Sequence, residues 1–192
     1  MSGIAHLTRW VSLRGVGTFL RTPCTSFANA PAIWTAVVVF RVVPTAVSIR
    51  VEHPSTATPA SVYDVLMDLD RWSDFMPGVS AASWEVRGAP DTGVGGIRSM
   101  RLVLGVTRDR IVDGTRPHHH AYAAAFPWYV PFKDYRGDIR IEDRPNGSLI
   151  VWTASCTPRI PGLRHHLNQS LQRSYTRLAA ALAREAERTA IR

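Results

Sequence analysis

Eighty residues in the middle of this chain read almost entirely as short strands, and that run limits the fold more than any other feature. From Ser80 to Thr157 the strand-like stretches are 80–86, 96–104, 107–113, 121–126, 133–143 and 148–157. Gly88-Ala89-Pro90, Arg116-Pro117 and Pro145-Asn146-Gly147 punctuate them. Asn-Gly between two strand runs is a strong hairpin signal. Connections this short cannot hold a crossover, so the strands must pair antiparallel. The cleanest pattern is Asp134, Arg136, Asp138, Arg140 and Glu142 alternating with Tyr135, Gly137, Ile139 and Ile141. Such alternation puts one face in water and buries the other, as in a sheet covered on one side.

Helical patterns flank this sheet. Val47, Ile49 and Val51 alternate with polar residues as a seventh strand, closed by Pro54. Thr58 is the expected cap of a helix with Pro59 at its first position. Val62, Val65, Leu66 and Leu69 then recur at i, i+3, i+4 and i+7, the stripe of a helix packed on one side. A second short helix is expected over 70–75, ended by Met76-Pro77-Gly78. A long helix closes the chain over about 162–188, with Leu163, Leu167, Leu171, Tyr175, Leu178 and Leu182 as its apolar stripe. Arg173, Arg177, Arg184 and Arg188 fall mainly on another face, read as solvated surface ahead of an RNA or membrane contact.

The net charge of +8 invites a nucleic-acid partner, but its distribution argues against one. Arg9, Arg14, Arg21, Arg41 and Arg50 precede the first acidic residue, Glu52. Without those five arginines the excess is only +3. Residues 1–45 therefore read as a basic extension, disordered or upstream of a native start near Val37 to Val42, and 46–190 as one domain. The apolar run 32–40 is broken by Arg41 and Pro44, too short for a membrane span. Cys24 and Cys156 sit in no paired or metal-ligand spacing, which fits a reducing cytoplasm. The expectation is a cytoplasmic protein with no transmembrane segment, no DNA partner, no cofactor and no metal.

An α+β domain of seven antiparallel strands and one long helix has a geometric consequence. A long antiparallel sheet twists and curls, and one helix of roughly 10–12 Å diameter cannot fill the concavity. Either large side chains fill it or a pocket remains. The helix pair, Gly93-Val94-Gly95-Gly96-Ile97-Arg98, the run WYVPFKDYRG over 128–137, NGSLIVW over 146–152 and RIPG over 159–162 together resemble the START/birch-pollen-allergen (SRPBCC) superfamily. Within it the chain is similar to the polyketide cyclase/dehydrase-like group. The resemblance covers about 47–187. It implies a helix-grip fold enclosing a cavity for a hydrophobic small molecule: a polyketide, lipid or quinone. It also implies that the protein is a possible cyclase or dehydratase, a non-catalytic carrier or, as a third reading, a ribosome-associated factor.

One charge falls on the apolar face of this container. By strand parity Arg98 shares a face with Met100, while Asp109 shares one with Ile111 on the next strand. Two readings stand: a structural Arg98–Asp109 pair, or an Arg98 clamp on a ligand carboxylate or a developing enolate in an aldol-type cyclisation. The expected cavity lining is Trp72, Phe75, Trp84, Arg98, Met100, Tyr122, Phe126, Trp128, Tyr135 and Trp152, with Trp128 at the mouth. Each aromatic serves equally well as plain core. His118-His119-His120 cannot all point one way along a strand and is expected as a loop cluster rather than a metal site. The glycine run is followed by a strand, not a helix, so a nucleotide loop fails its context.

Overall fold

The computed structural model describes residues 46–191 apart from Leu104, so the expectations for residues 1–45 lie outside the described residues. Seven antiparallel strands form one sheet: β1 (Val47–Ser55), β2 (Val79–Val86), β3 (Ile97–Leu102), β4 (Gly105–Thr115), β5 (His119–Ala125), β6 (Phe132–Arg144) and β7 (Gly147–Pro158). Their spatial order is β1-β7-β6-β5-β4-β3-β2, so a single long return brings β1 beside β7 and every other pair is a meander. α1 (Pro59–Met67), a 3₁₀ turn (Leu69–Arg71) and α2 (Trp72–Phe75) lie between β1 and β2, and α3 (Arg164–Ala190) ends the fold.

Local chemistry accounts for these boundaries. The Thr58 hydroxyl accepts from the Ser61 amide at 3.2 Å and Pro59 opens α1. Val62, Val65, Leu66 and Leu69 are all buried, as their spacing requires. β6 and β7 turn through Pro145 and Asn146, with Arg144 opposite Gly147. Gly147 takes φ +131, and a Cβ there would come within 2.1 Å of the Ser55 carbonyl oxygen.

β1 is an edge strand, and α3 covers it. Asn168 Nδ2 donates to the Ser48 carbonyl at 3.2 Å and Gln172 Nε2 to the Arg50 carbonyl at 3.0 Å. Those carbonyls would otherwise be open to another strand. Toward the other end of α3, the buried Glu185 accepts from both Arg71 and Arg188, tying the helix to the 3₁₀ turn. Arg188 is thus part of an ion-pair network and not a free member of the basic stripe.

One local feature departs from simple alternation. Asp134 adopts φ +52 and the β6–β7 register shifts between Lys133 and Arg136. Lys133 and Asp134 are both exposed, while Phe132 and Tyr135 both face the core. This bulge adds Phe132 to the inner face, where straight parity would put it outside.

Candidate functional site

The concave face carries aliphatic walls and a polar centre. Strand pairing lines up Arg98 with Asp109, and Asp109 with Ala124; next to them Ile111 stands opposite Tyr122, and Tyr122 opposite Gly137. Gly137 is what lets Tyr122 lie flat. A Cβ there would stand 2.3 Å from Tyr122 Cζ. The phenol crosses this gap and shares a 3.1 Å hydrogen bond with the Tyr175 hydroxyl of α3, while Trp152 Nε1 donates to it at 3.3 Å.

Arg98 sits at the middle of this arrangement, 2% exposed. Its Nε and Nη2 donate to the same oxygen, Asp109 Oδ2, at 3.0 and 2.9 Å. The guanidinium carbon lies 4.8 Å from the Trp72 ring centroid and 4.5 Å from that of Tyr122. A planar cation between two rings gains from both faces, more strongly where water is excluded. The expected Arg98–Asp109 pair therefore forms, with Trp72 and Tyr122 as its walls.

Hydrogen-bonding capacity is left over. Asp109 Oδ1, the Thr107 hydroxyl and the Tyr63 hydroxyl are buried without a protein partner. So are both ring nitrogens of His120 at normal hydrogen-bond geometry, with the Thr92 backbone giving only weak support. The His120 ring packs between Tyr63 and Tyr122, at centroid distances of 6.1 and 6.3 Å. Burial, aided by the Arg98 charge, pushes its pKa down from 6.5 to about 3, so the ring is neutral at physiological pH. Burial raises Tyr122 and lifts Tyr175 well above the ordinary range, which keeps both phenols protonated. Asp109 is also raised, because desolvation outweighs the pull of Arg98.

Most of the residues expected to line a cavity converge here. Trp72, Arg98, Met100, Tyr122, Tyr135 and Trp152 are buried in this core, and Phe126 stacks edge-on against Phe132 and Tyr135 at 4.9 and 5.3 Å. Phe75 and Trp84 are half-buried at its margin, with Trp84 lying over Gly93. Trp128 does not join them: it is 83% exposed in the β5–β6 loop, where no strand register aims it inward. The interior also carries a polar centre, and two outward grooves lie on other surfaces, lined by residues such as His118, Glu142, Arg50 and Arg136.

His120, Tyr63, Thr107 and Tyr175 were missed as site residues. Parity alone signals His120, which shares a face with Tyr122. The histidine run is not a loop cluster: His119 and His120 belong to β5. His118 bonds the Ile141 carbonyl, His119 reaches Asp138 at 2.8 Å and His120 turns inward, so the three do not converge.

A sequence model of the family described as polyketide cyclase / dehydrase and lipid transport matches residues 46–187. The chain belongs to this family. No curated protein matches it by sequence. Among solved structures it is similar to the ZhuI aromatase/cyclase from Streptomyces sp. R1128, with 17% identity over 77% of this chain and 97% of that one, at TM-score 0.63. The di-domain ARO/CYC StfQ of the steffimycin biosynthetic pathway gives 16% identity and TM-score 0.64 over 77% of this chain, which spans about half (52%) of that protein. A START superfamily protein from Mycobacterium smegmatis gives 13% identity and TM-score 0.62, over 75% of this chain and 98% of that one. At such identities the likeness establishes the helix-grip fold alone. No helix among the described residues is long and apolar enough to cross a membrane.

Proposed function

We propose that this polyketide cyclase/dehydrase-family chain binds a hydrophobic small molecule of the polyketide, lipid or quinone class between the sheet and α3. Arg98 and Tyr122 anchor an oxygen of that molecule. The observation that carries this reading is spare hydrogen-bonding capacity sealed inside an apolar box. Each buried polar group without a partner costs about 1–3 kcal/mol, and here Asp109 Oδ1, the Thr107 hydroxyl and the His120 ring lie on the inner face beside Arg98. Asp109 engages only two of the five N–H groups of Arg98.

Protonation favours binding over turnover. A general acid or base works best with a pKa near the working pH. His120 at about 3 carries no imidazolium proton to give at neutral pH and accepts one weakly. Tyr122 and Tyr175 stay protonated, and Asp109 is committed to Arg98. The similarity to two aromatase/cyclases supports a second reading, in which Arg98 stabilises an enolate during cyclisation or dehydration.

Native mass spectrometry of the gently purified chain tests the first reading, together with titration of a hydroxyanthraquinone probe. We expect a co-purifying apolar molecule or saturable probe binding, weakened roughly 10–100-fold in Arg98→Met, the loss of one or two charge-assisted contacts. The Arg98→Met/Asp109→Leu double variant leaves no unpaired buried charge and keeps the test readable where the single variant unfolds. Full affinity in both would remove Arg98 from the role, and turnover of a bound polyketide would favour the cyclase reading.

A further inference from the structure

The end of the sheet where β3 meets β4, β5 meets β6 and β7 meets α3 is dressed unlike the rest of the surface. In a meander these three connections share one end, and the contacts agree. The Tyr129 hydroxyl lies 2.6 Å from where a Cβ on Gly105 would stand. The Arg159 amide donates to the Pro131 carbonyl at 2.8 Å, and Arg159 Nε to the Phe132 carbonyl at 3.1 Å. Each connection presents apolar side chains to solvent: Val103 at 92% exposure, Trp128 at 83% and Ile160 at 55%, with Val106 and Tyr129 also exposed. Each is flanked by a cation: Val103 by Arg101, Trp128 by Lys133, and Ile160 by Arg159 and Arg164. Asp134 is the one carboxylate in these segments, and it lies 3.7 Å from Lys133.

We propose that this end of the domain docks on an anionic lipid bilayer. Isolated exposed hydrophobes are ordinary. Aliphatic tips from two connections beside an exposed Trp on a third, with cations next to each, form a different pattern. Trp and Tyr settle at the headgroup level, where one part of the ring is wet and the other is not. Aliphatic tips reach the acyl boundary, and each Lys or Arg near an anionic surface adds attraction. The charge argues against a second copy of the chain, because two such ends would bring four cations against four with only two carboxylates between them. The Phe126–Phe132–Tyr135 cluster lies directly behind the loops, so a docked domain turns its aromatic wall toward the lipid.

The test uses the whole chain and vesicles of phosphatidylcholine with about one third phosphatidylserine, against pure phosphatidylcholine. Co-sedimentation should favour the anionic vesicles and weaken with salt. Brominated acyl chains should quench tryptophan emission in the wild type, and Trp128→Phe should lose most of that quenching while still binding. Trp128→Ala should lower partitioning roughly tenfold, the burial of one large side chain. Val103→Ser and Ile160→Ser should each lower it less. Quenching is read in a background carrying Trp10→Phe and Trp34→Phe, and the arginines of residues 1–45 are common to all variants, so that segment cannot imitate either result. Quenching that persists in Trp128→Phe, or partitioning unchanged in all three loop variants, overturns the proposal. So does self-association that depends on Trp128 in the absence of vesicles, or capture by an acidic protein with no vesicle binding. The vesicles carry no interior ligand, so this result is independent of the binding function proposed above.

Discussion

His120 should make this domain sensitive to mild acid, and the size of the effect follows from its burial. An unfolded histidine titrates near 6.5, whereas the folded one is held at about 3. Between those values the unfolded chain binds a proton that the native chain refuses. Stability therefore rises with pH across that window and is lost as the pH falls. The full shift corresponds to about 5 kcal/mol, with a slope of at most about 1.4 kcal/mol per pH unit. From pH 7 to about pH 5 the loss is about 2 kcal/mol, a substantial share of a typical stability of about 5–15 kcal/mol. Arg98 and His119 act on the ring electrostatically, Tyr63 and Tyr122 stay neutral across the window, and Asp109 acts with the opposite sign. Its raised pKa makes the native state hold a proton longer than the unfolded chain, so its contribution favours the acid side.

Urea unfolding followed by tryptophan emission measures this directly. The wild-type midpoint should fall by roughly 1 M between pH 7 and pH 5, given a slope of about 2 kcal/mol per M. His120→Leu should remove most of that difference. It should also be at least as stable at pH 7, because two unpartnered ring nitrogens are replaced by carbon. All other titratable groups are common to both proteins, and His119, the neighbour that acts electrostatically on the ring, is kept in each. Parallel pH profiles for wild type and His120→Leu would refute the reasoning, since the buried ring would then be free to take its proton in the native state.

Three further outcomes follow from the same core. Arg98→Met should cost about 3–5 kcal/mol in urea unfolding by stranding Asp109, and Asp109→Leu on top of it should recover most of that loss. Gly137→Ala forces Tyr122 off its site by 2.3 Å geometry and should cost about 1–3 kcal/mol, with a changed tryptophan spectrum as Trp152 loses its acceptor. Removing the edge cover with Asn168→Ala/Gln172→Ala should cost about 1–2 kcal/mol and lower the melting temperature by several degrees, read by circular dichroism.

The fold was legible because its signals are local. Thr58-Pro59 starts a helix by capping chemistry, Asn146-Gly147 turns a hairpin by backbone freedom, and alternation from Tyr135 to Ile141 decides which face is buried. The Arg98–Asp109 pair was legible for the same reason: parity on two neighbouring strands needs no long-range information. Phe132 was not, because the bulge at Asp134 resets the parity by one residue and nothing in its neighbours' chemistry forces that. Tyr63 and Tyr175 were hidden for another reason. Tyr175 sits in the apolar stripe of α3 and Tyr63 beside that of α1, where a tyrosine reads as packing, and only the docking of the two helices decides where each hydroxyl ends.

The position of His120 links stability to the proposed binding. An imidazole with no good partner is a poor choice for a core built only to be stable, since leucine would fill the same site without a desolvation cost. The same holds for Asp109 Oδ1 and the Thr107 hydroxyl, both on β4. These groups are not scattered through the fold: they lie on the inner face around Arg98, while the β1–β7 side of the core is apolar through Val47, Ile49, Val51, Ala154 and Cys156. The β3–β5 side of the sheet thus keeps unspent donors and acceptors, while the β1–β7 side is mainly apolar. That asymmetry suits a molecule with a polar edge and an apolar body better than a plain hydrocarbon chain, and it places the polar edge against β3, β4 and β5.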